Sequence, residues 1–181
     1  MRLFLAIPLA EAVVEELSAV QARLQRSGDG LRWTAAESWH ITLQFLGNTS
    51  AEQYACVVAR LREVRMTPVP IALAGLSCFE RAGVFFADVR LTPELMQLQE
   101  RVTAATRPCG FVAEARAYQP HVTLARNKGR GEPRGLHALK AKIGRPQRFT
   151  RFVAEEFLLY ESFLGGAGSR YEVRERFALS Q

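Results

Sequence analysis

Two of the chain's three histidines occur in the same four-residue frame. His40 begins the stretch His-Ile-Thr-Leu and His121 begins His-Val-Thr-Leu, so that Thr42 and Thr123 each follow a histidine by two positions. An imidazole, with an unperturbed pKa of about 6.5, can hold or release a proton near neutral pH. Because residues i and i+2 of a strand face the same way, each histidine is expected to share a face with its threonine.

Phosphoryl chemistry suits this set of side chains. Cleavage of a phosphodiester needs a base that activates the attacking water and an acid that protonates the leaving oxygen, on opposite sides of phosphorus. Two histidines on two strands can fill these roles, and two threonine hydroxyls can donate to the non-bridging oxygens as charge builds on them. The side-chain chemistry alone leaves open which histidine is the acid.

Strict alternation along the two strands also assigns their other faces. It puts Leu43 and Phe45 opposite His40, where they are expected to cover a core. In the second copy it puts Arg126 on the face away from His121.

An internal repeat relates the two motifs. Residues 4–6 (Phe-Leu-Ala) recur as residues 85–87 (Phe-Phe-Ala), at the same offset of 81 that separates His40 from His121. Two short motifs that share one offset indicate a duplication. We expect residues 1–181 to form a single two-lobed catalytic domain with approximate halves 1–82 and 83–181, and the lobes to bring their polar faces together across a cleft.

The elements that must position the motifs are predicted from periodicity and caps. A short apolar strand precedes a helix with inward residues at helical spacing (Val13, Leu17, Val20 and Leu24). Ser50 with Gln53 predicts a capping box, and Thr92-Pro93 predicts the start of another helix. Residues 71–79 and 83–91 read as a strand pair. Strands interspersed with helices and hairpins favour an α+β fold with antiparallel sheets.

The positive charge is concentrated in one segment. Residues 126–151 contain nine Lys or Arg and one acidic residue, a net +8, while the rest of the chain carries −2. Such a block suits a polyanionic partner, with nucleic acid as the first candidate, or else a solvated basic loop.

Composition excludes several other classes of protein. No apolar run approaches the ~18 residues needed to span a bilayer, and Pro8 and acidic residues interrupt the opening stretch, so we expect a cytoplasmic protein with no membrane partner. Cys56, Cys78 and Cys109 show no CxxC spacing and are expected to be buried reduced thiols. No metal site is predicted, because neither paired cysteines nor HExxH occurs. His137 lies outside the repeat and is expected at the surface.

With these residues the chain resembles the two-histidine phosphoesterases, and within them the bacterial and archaeal RNA 2′,3′-cyclic phosphodiesterases, also called 2′-5′ RNA ligases. The resemblance covers nearly the whole chain. It rests on HITL, HVTL and their flanks: RLFLAI, WHITLQFLG, PHVTLAR, LYESFL and SRYEV.

The resemblance implies a duplicated bilobal α+β fold, with two antiparallel sheets and outer helices around a central cleft. It implies metal-independent hydrolysis of RNA 2′,3′-cyclic phosphate termini to 2′-phosphate without a cofactor. It assigns His40 as proton donor and His121 as proton acceptor, with Thr42, Thr123 and Arg126 as substrate or phosphate contacts.

Tyr118, three residues before His121, is a further candidate contact, because an aromatic ring near the cleft can stack on a base. Trp33 and Phe79 are weaker candidates for the same role, since aromatic residues at strand ends more often belong to the core. The expected partner is RNA with 2′,3′-cyclic phosphate ends, or a small cyclic nucleotide, bound by a monomer. Two alternatives remain: 2′-5′ RNA ligation in the same site, and a non-catalytic RNA-binding module.

Overall fold

Two four-stranded antiparallel sheets each carry one of the histidine motifs. The structure, a computed structural model, describes residues 1–129, 134–143, 147–165 and 168–180. The helices are α1 Glu11–Leu24, α2 Ala51–Leu61, α3 Pro93–Thr106 and α4 Arg134–Lys142, with short 3-10 helices at Ala36–Ser38 and Arg107–Cys109. The strands are β1 Arg2–Pro8, β2 Leu31–Trp33, β3 His40–Asn48, β4 Val69–Ile71, β5 Leu73–Phe79, β6 Val84–Val89, β7 His121–Asn127, β8 Phe152–Ala154, β9 Glu156–Gly165 and β10 Gly168–Ala178.

The order of the strands mixes the two halves of the sequence. The first sheet runs β10-β9-β1-β3 and the second runs β2-β7-β6-β5, while β4 and β8 form a separate two-stranded sheet. Each four-stranded sheet therefore takes strands from both sides of residue 82. The strand pairings of the described residues are all antiparallel, which confirms the predicted α+β class.

Alternation along β1 separates the core face of the first sheet from its opposite face, and we call the corresponding non-core face of each four-stranded sheet the cleft face. Leu3, Leu5 and Ile7 are fully buried in the main hydrophobic cluster, together with the inward stripe of α1. Phe4 and Ala6 point to the opposite face of the sheet and lie outside that cluster. The second sheet repeats the pattern with Phe85 in the core.

The predicted helix starts are confirmed. The Ser50 hydroxyl accepts a hydrogen bond from the Gln53 backbone N–H while the Gln53 side chain accepts one from the Ser50 N–H, which caps α2. The Thr92 hydroxyl accepts from the Leu95 N–H at the start of α3, with Pro93 in the first turn. None of the helices in the described ranges is long and apolar enough to cross a membrane.

The expectation for the cysteines is wrong for two of the three residues. Cys56 on α2 and Cys109, at the end of the 3-10 helix after α3, form a disulfide, and Cys78 is a free, half-buried thiol. The two bridged residues are 53 positions apart in sequence and come together because α2 packs against α3. No local spacing could have revealed this pair.

The basic segment 126–151 is distributed over several elements. Lys140 on α4 forms an ion pair with Glu80, which follows β5. Arg130, Arg145 and the side chain of Arg134 lie outside the described residues. Binding of a polyanion by this segment stays a prediction.

Removal of the disulfide should destabilise the protein without abolishing the fold. A bridge that closes a loop of this length is worth about 2–4 kcal/mol, largely by restricting the unfolded chain. The Cys56→Ala/Cys109→Ala double variant should lose that much free energy of unfolding in urea titration, while Cys78→Ala should retain the bridge. Unreduced, denatured wild-type protein should contain one titratable thiol; three thiols would contradict the assignment.

Candidate active site

Each motif histidine is the first residue of its strand and is held by the same backbone contact. The Nδ1 atom of His40 lies 2.8 Å from the Ser38 carbonyl oxygen, and that of His121 lies 2.9 Å from the Gln119 carbonyl oxygen. Because a carbonyl oxygen can only accept, Nδ1 carries the proton in both rings. The lone pair of each neutral imidazole therefore resides on Nε2, the nitrogen available for proton transfer.

The threonines share the faces of their histidines. On β1, Pro8 and Ala6 pair with His40 and Thr42, and both pairs point to the side of the sheet opposite Leu5. On β6, Asp88 and Phe86 pair with His121 and Thr123 in the same way. Among the described residues, no hydrogen-bond partner is seen for the hydroxyl of Thr42 or of Thr123.

A β-bulge corrects two assignments made by strict alternation. In β7 the pairing with β6 skips Leu124, so that Ala125 pairs with Phe85 on the core face and Arg126 pairs with Val84 on the face of the histidine. Arg126 therefore lies on the same face as His121, and the expectation that it points away is wrong. One extra residue in a strand re-aims every side chain beyond it.

The same bulge occurs in β3. The pairing with β1 skips Leu43, which puts Gln44 opposite Leu5 on the core face and Phe45 opposite Phe4 on the cleft face. Gln44 is only 5% exposed and accepts a 2.8 Å hydrogen bond from the Thr106 hydroxyl. Phe45 is 58% exposed, so the expectation that it covers the core is also wrong.

Hydrogen bonds join the two motif strands, which are in direct contact. The Trp39 indole N–H donates to the Thr34 hydroxyl, and that hydroxyl donates to the Thr123 carbonyl oxygen at 2.8 Å. In the opposite direction, the Tyr118 hydroxyl donates to the Thr42 carbonyl oxygen at 2.9 Å. Each motif is thus tied to the segment that leads into the other.

Tyr118 is placed by its backbone contact. The ring is half-buried against the main hydrophobic cluster, and burial raises the pKa of its phenol above the ordinary value. Its hydroxyl fixes the backbone beside the first motif. Stacking of Tyr118 on a base stays a prediction.

Aromatic rings surround both imidazoles. The His40 ring lies 4.7 Å from Phe4, 5.3 Å from Tyr171 and 5.9 Å from Tyr160, between ring centroids. The aromatic residues that contact His40 were not predicted as part of the site. Tyr160 and Tyr171 nevertheless lie within the C-terminal stretches that carry the resemblance.

His121 is flanked by Phe79 at 5.1 Å and Phe86 at 5.3 Å, both edge to face. Phe79, one of the aromatic candidates from the sequence, therefore lies at the site. Trp33 does not: its ring packs on Phe85, on the core face of the second sheet, and its indole N–H donates to Asp29.

The electrostatic surroundings of the two imidazoles differ. The pKa of His40 is lowered to about 4, mainly by burial and in smaller part by the positive charges of His121 and Arg126, while the hydrogen bond to the Ser38 carbonyl acts in the opposite direction. His121 instead pairs across the sheet with Asp88, whose own pKa is raised by burial. Without a bound anion, His40 is therefore a neutral base at pH 7, and the site attracts negative charge.

The remaining candidates lie elsewhere. His137 is exposed on α4, as expected. Within the described ranges, no group of three or more His, Cys, Asp or Glu side chains could hold a metal ion.

Comparison with known proteins identifies similar chains. The sequence model of the LigT-like phosphoesterases matches residues 7–86 and 88–171. An RNA 2′,3′-cyclic phosphodiesterase of Thermotoga maritima is 30% identical over 96% of this chain and 92% of its own length. Another, from Geobacillus stearothermophilus, is 31% identical over 88% of this chain, which spans only 51% of that relative. The crystal structure of Escherichia coli LigT with 3′-AMP superposes with a TM-score of 0.83 at 27% identity, covering 99% of this chain and 98% of that one.

The depressed pKa of His40 makes a prediction about pH. Because the folded protein binds this proton near pH 4 and the unfolded chain near 6.5, the unfolded state takes up more protons between these values. The free energy of unfolding should therefore fall as pH is lowered from 6.5 to 4, by at most about 3 kcal/mol from this residue.

The contribution of His40 is isolated by comparison with His40→Gln, because glutamine does not titrate. The free energy of unfolding of this variant should depend less on pH between 6.5 and 4 than that of the wild type. In NMR titration of the wild type, the resonance that disappears in the variant should have its midpoint near pH 4. A midpoint at or above 6.5 would contradict the proposed burial of the ring.

Proposed function

The chain belongs to the LigT-like phosphoesterase family, and from that membership we propose that it hydrolyses RNA 2′,3′-cyclic phosphate ends to 2′-phosphate ends. Its relatives named RNA 2′,3′-cyclic phosphodiesterases support this class of substrate. The observation that carries the proposal is the pair of imidazoles with matched Nδ1 contacts, at the starts of two strands that touch. Residues 1–181 act as one two-lobed catalytic domain, in which each four-stranded sheet combines strands from both halves of the repeat, 1–82 and 83–181.

His121 is the general base in this proposal. Its Nε2 takes a proton from water, and the water oxygen forms a bond to phosphorus as the bond from phosphorus to O3′ breaks. The Gln119 carbonyl keeps the proton on Nδ1, so Nε2 is the atom with the lone pair. The Asp88 carboxylate beside the ring favours the imidazolium that forms during the step.

His40 is the general acid and gives its proton to the departing O3′. A neutral imidazole cannot do this, so the substrate itself must first raise the pKa of His40. The cyclic phosphate carries a negative charge, and an anion close to the ring favours the protonated form, opposing the effects of His121 and Arg126. In this proposal His40 becomes protonated only when the substrate is bound, that is, when a leaving group is present to receive the proton.

The other groups of the site stabilise charge on the phosphate. The hydroxyls of Thr42 and Thr123 donate to its non-bridging oxygens, where negative charge grows in the transition state. Arg126 lies on the same face as His121, two rows away along the sheet, and contributes a positive charge that can contact phosphate of the RNA substrate. Tyr118 holds the Thr42 backbone through its hydroxyl, and so helps to position the first motif.

The proposed reaction draws its acid, base and hydroxyl donors from one chain and uses no cofactor or metal. One chain supplies both histidines, so the reaction needs no second copy. The 2′-5′ ligation of RNA would run the same step in reverse, and it is distinguished by supplying excess 2′-phosphate and 5′-hydroxyl ends.

Turnover of a cyclic-phosphate oligonucleotide tests the proposal. Removal of a general acid or base costs about 10²–10⁴-fold, so His40→Ala and His121→Ala should each lose that much activity. His137→Ala removes an exposed histidine of α4 and should retain activity, and a chelator should leave the wild-type rate unchanged. A metal requirement, or near-normal turnover by either motif variant, would contradict the mechanism.

The leaving group separates the two roles. A substrate with sulfur in place of O3′ releases a thiolate, which needs little help from an acid. Loss of His40 should matter far less on this substrate than on the oxygen substrate, whereas loss of His121 should stay severe on both. Rescue of His121→Ala instead would reverse the assignment, and rescue of neither variant would show that the histidines do not transfer protons in these roles.

A further inference from the structure

Two arginines lie directly opposite each other on the cleft face of the second sheet. Arg32 on β2 pairs with Arg126 on β7. The neighbours of Arg32 settle its direction: Leu31 is 2% exposed and Trp33 packs on Phe85, so both face the core. Arg32 must then point to the other side, the side of His121 and Arg126.

This arrangement is unfavourable without a ligand. Like charges directly opposite each other on a sheet destabilise the pair. Both side chains are exposed, and no ion pair to either guanidinium is found among the described residues. The nearest carboxylate in sequence, that of Asp29, instead accepts from Trp33 and from the backbone of Leu31 and Arg26. Two guanidiniums that converge on one face form a fork for an oxyanion such as phosphate.

The position of the two arginines along the sheet indicates which phosphate of the RNA substrate they can bind. Three successive residues on the cleft face of β6 each pair with a residue of β7. The pairs are Val84 with Arg126, Phe86 with Thr123, and Asp88 with His121. The first and last rows are about 13 Å apart along the strand. An anion at the arginine pair is therefore distinct from the cyclic phosphate, which the proposed mechanism places between the histidines. An arginine side chain is long enough to cover only part of the distance between the two positions.

RNA has a second phosphate at a fixed place relative to its cyclic end. The rest of the chain leaves the terminal nucleotide through its 5′ oxygen, so the next negative charge is the phosphodiester on that side. A cyclic mononucleotide lacks this group. We propose that Arg32, together with Arg126, binds the phosphodiester on the 5′ side of the terminal nucleotide and so makes the protein favour RNA ends over cyclic mononucleotides; this inference rests on the proposed function.

The test compares two dinucleotides that end in a 2′,3′-cyclic phosphate. One has a normal, charged phosphodiester linkage and the other has a neutral methylphosphonate linkage. For the wild type, kcat/KM should be about tenfold higher on the charged substrate, mainly through a lower KM, as expected for one charge-assisted contact made equally in the bound and transition states. For Arg32→Ala this ratio should fall to about one.

The matched control is Arg23→Ala, which removes an exposed arginine of α1 and should keep the wild-type ratio. Since the ratio compares two substrates on one variant, a general loss of folded protein cancels. An unchanged ratio in Arg32→Ala, or a wild-type ratio of one, would overturn the phosphate contact. In both cases, wild-type hydrolysis of 2′,3′-cyclic AMP would show that the proposed function stands. If the wild type hydrolyses none of the three substrates, the function fails, and the inference fails with it.

Discussion

A β-bulge at the same position of both motif strands determines which side chains reach the cleft. Leu43 in β3 and Leu124 in β7 are skipped in the pairing with their neighbours, at equivalent positions of the repeat. Both leucines are buried in the core. Beyond each bulge the strand is turned over, so that Phe45 and Arg126 rejoin the face of the histidines. Without the bulge the second motif would present Ala125 to the cleft and direct a guanidinium into the core.

The repeated frame supports two chemically different halves of one site. Equivalent positions hold an exposed phenylalanine in β3 and an arginine in β7. Three aromatic rings contact His40, and the positive charges of His121 and Arg126 help to lower its pKa, whereas His121 pairs across the sheet with the carboxylate residue Asp88. The duplication therefore supplies matched geometry, through the same Nδ1 contact to a carbonyl, while the charged and aromatic groups around the two rings differ. Because burial holds the pKa of His40 low in the free protein, the proposed role of His40 as the acid depends on the negative charge of the bound substrate.

Local patterns predicted the parts of the structure that depend on local physics. The capping box at Ser50, the cap at Thr92 and the hairpin of β5 and β6 follow from hydrogen bonds within a few residues, and they are confirmed. The bulges could not be found by alternation, since they depend on which face of a neighbouring strand is buried. The Cys56–Cys109 bridge and the addition of β9 and β10 to the sheet of β1 are contacts between distant segments. Arg32 was missed for the same reason, as its significance arises only from its pairing with Arg126.

The central claim is that two matched imidazoles work as an acid and a base with fixed roles. The dependence of kcat on pH tests it most directly, measured for the wild type and for each single histidine-to-alanine variant on one cyclic-phosphate oligonucleotide. The account predicts a bell for the wild type, loss of the alkaline limb in His40→Ala, and loss of the acidic limb in His121→Ala. Both variants retaining both limbs would contradict it, because the ionisations that control the rate would then belong to other groups.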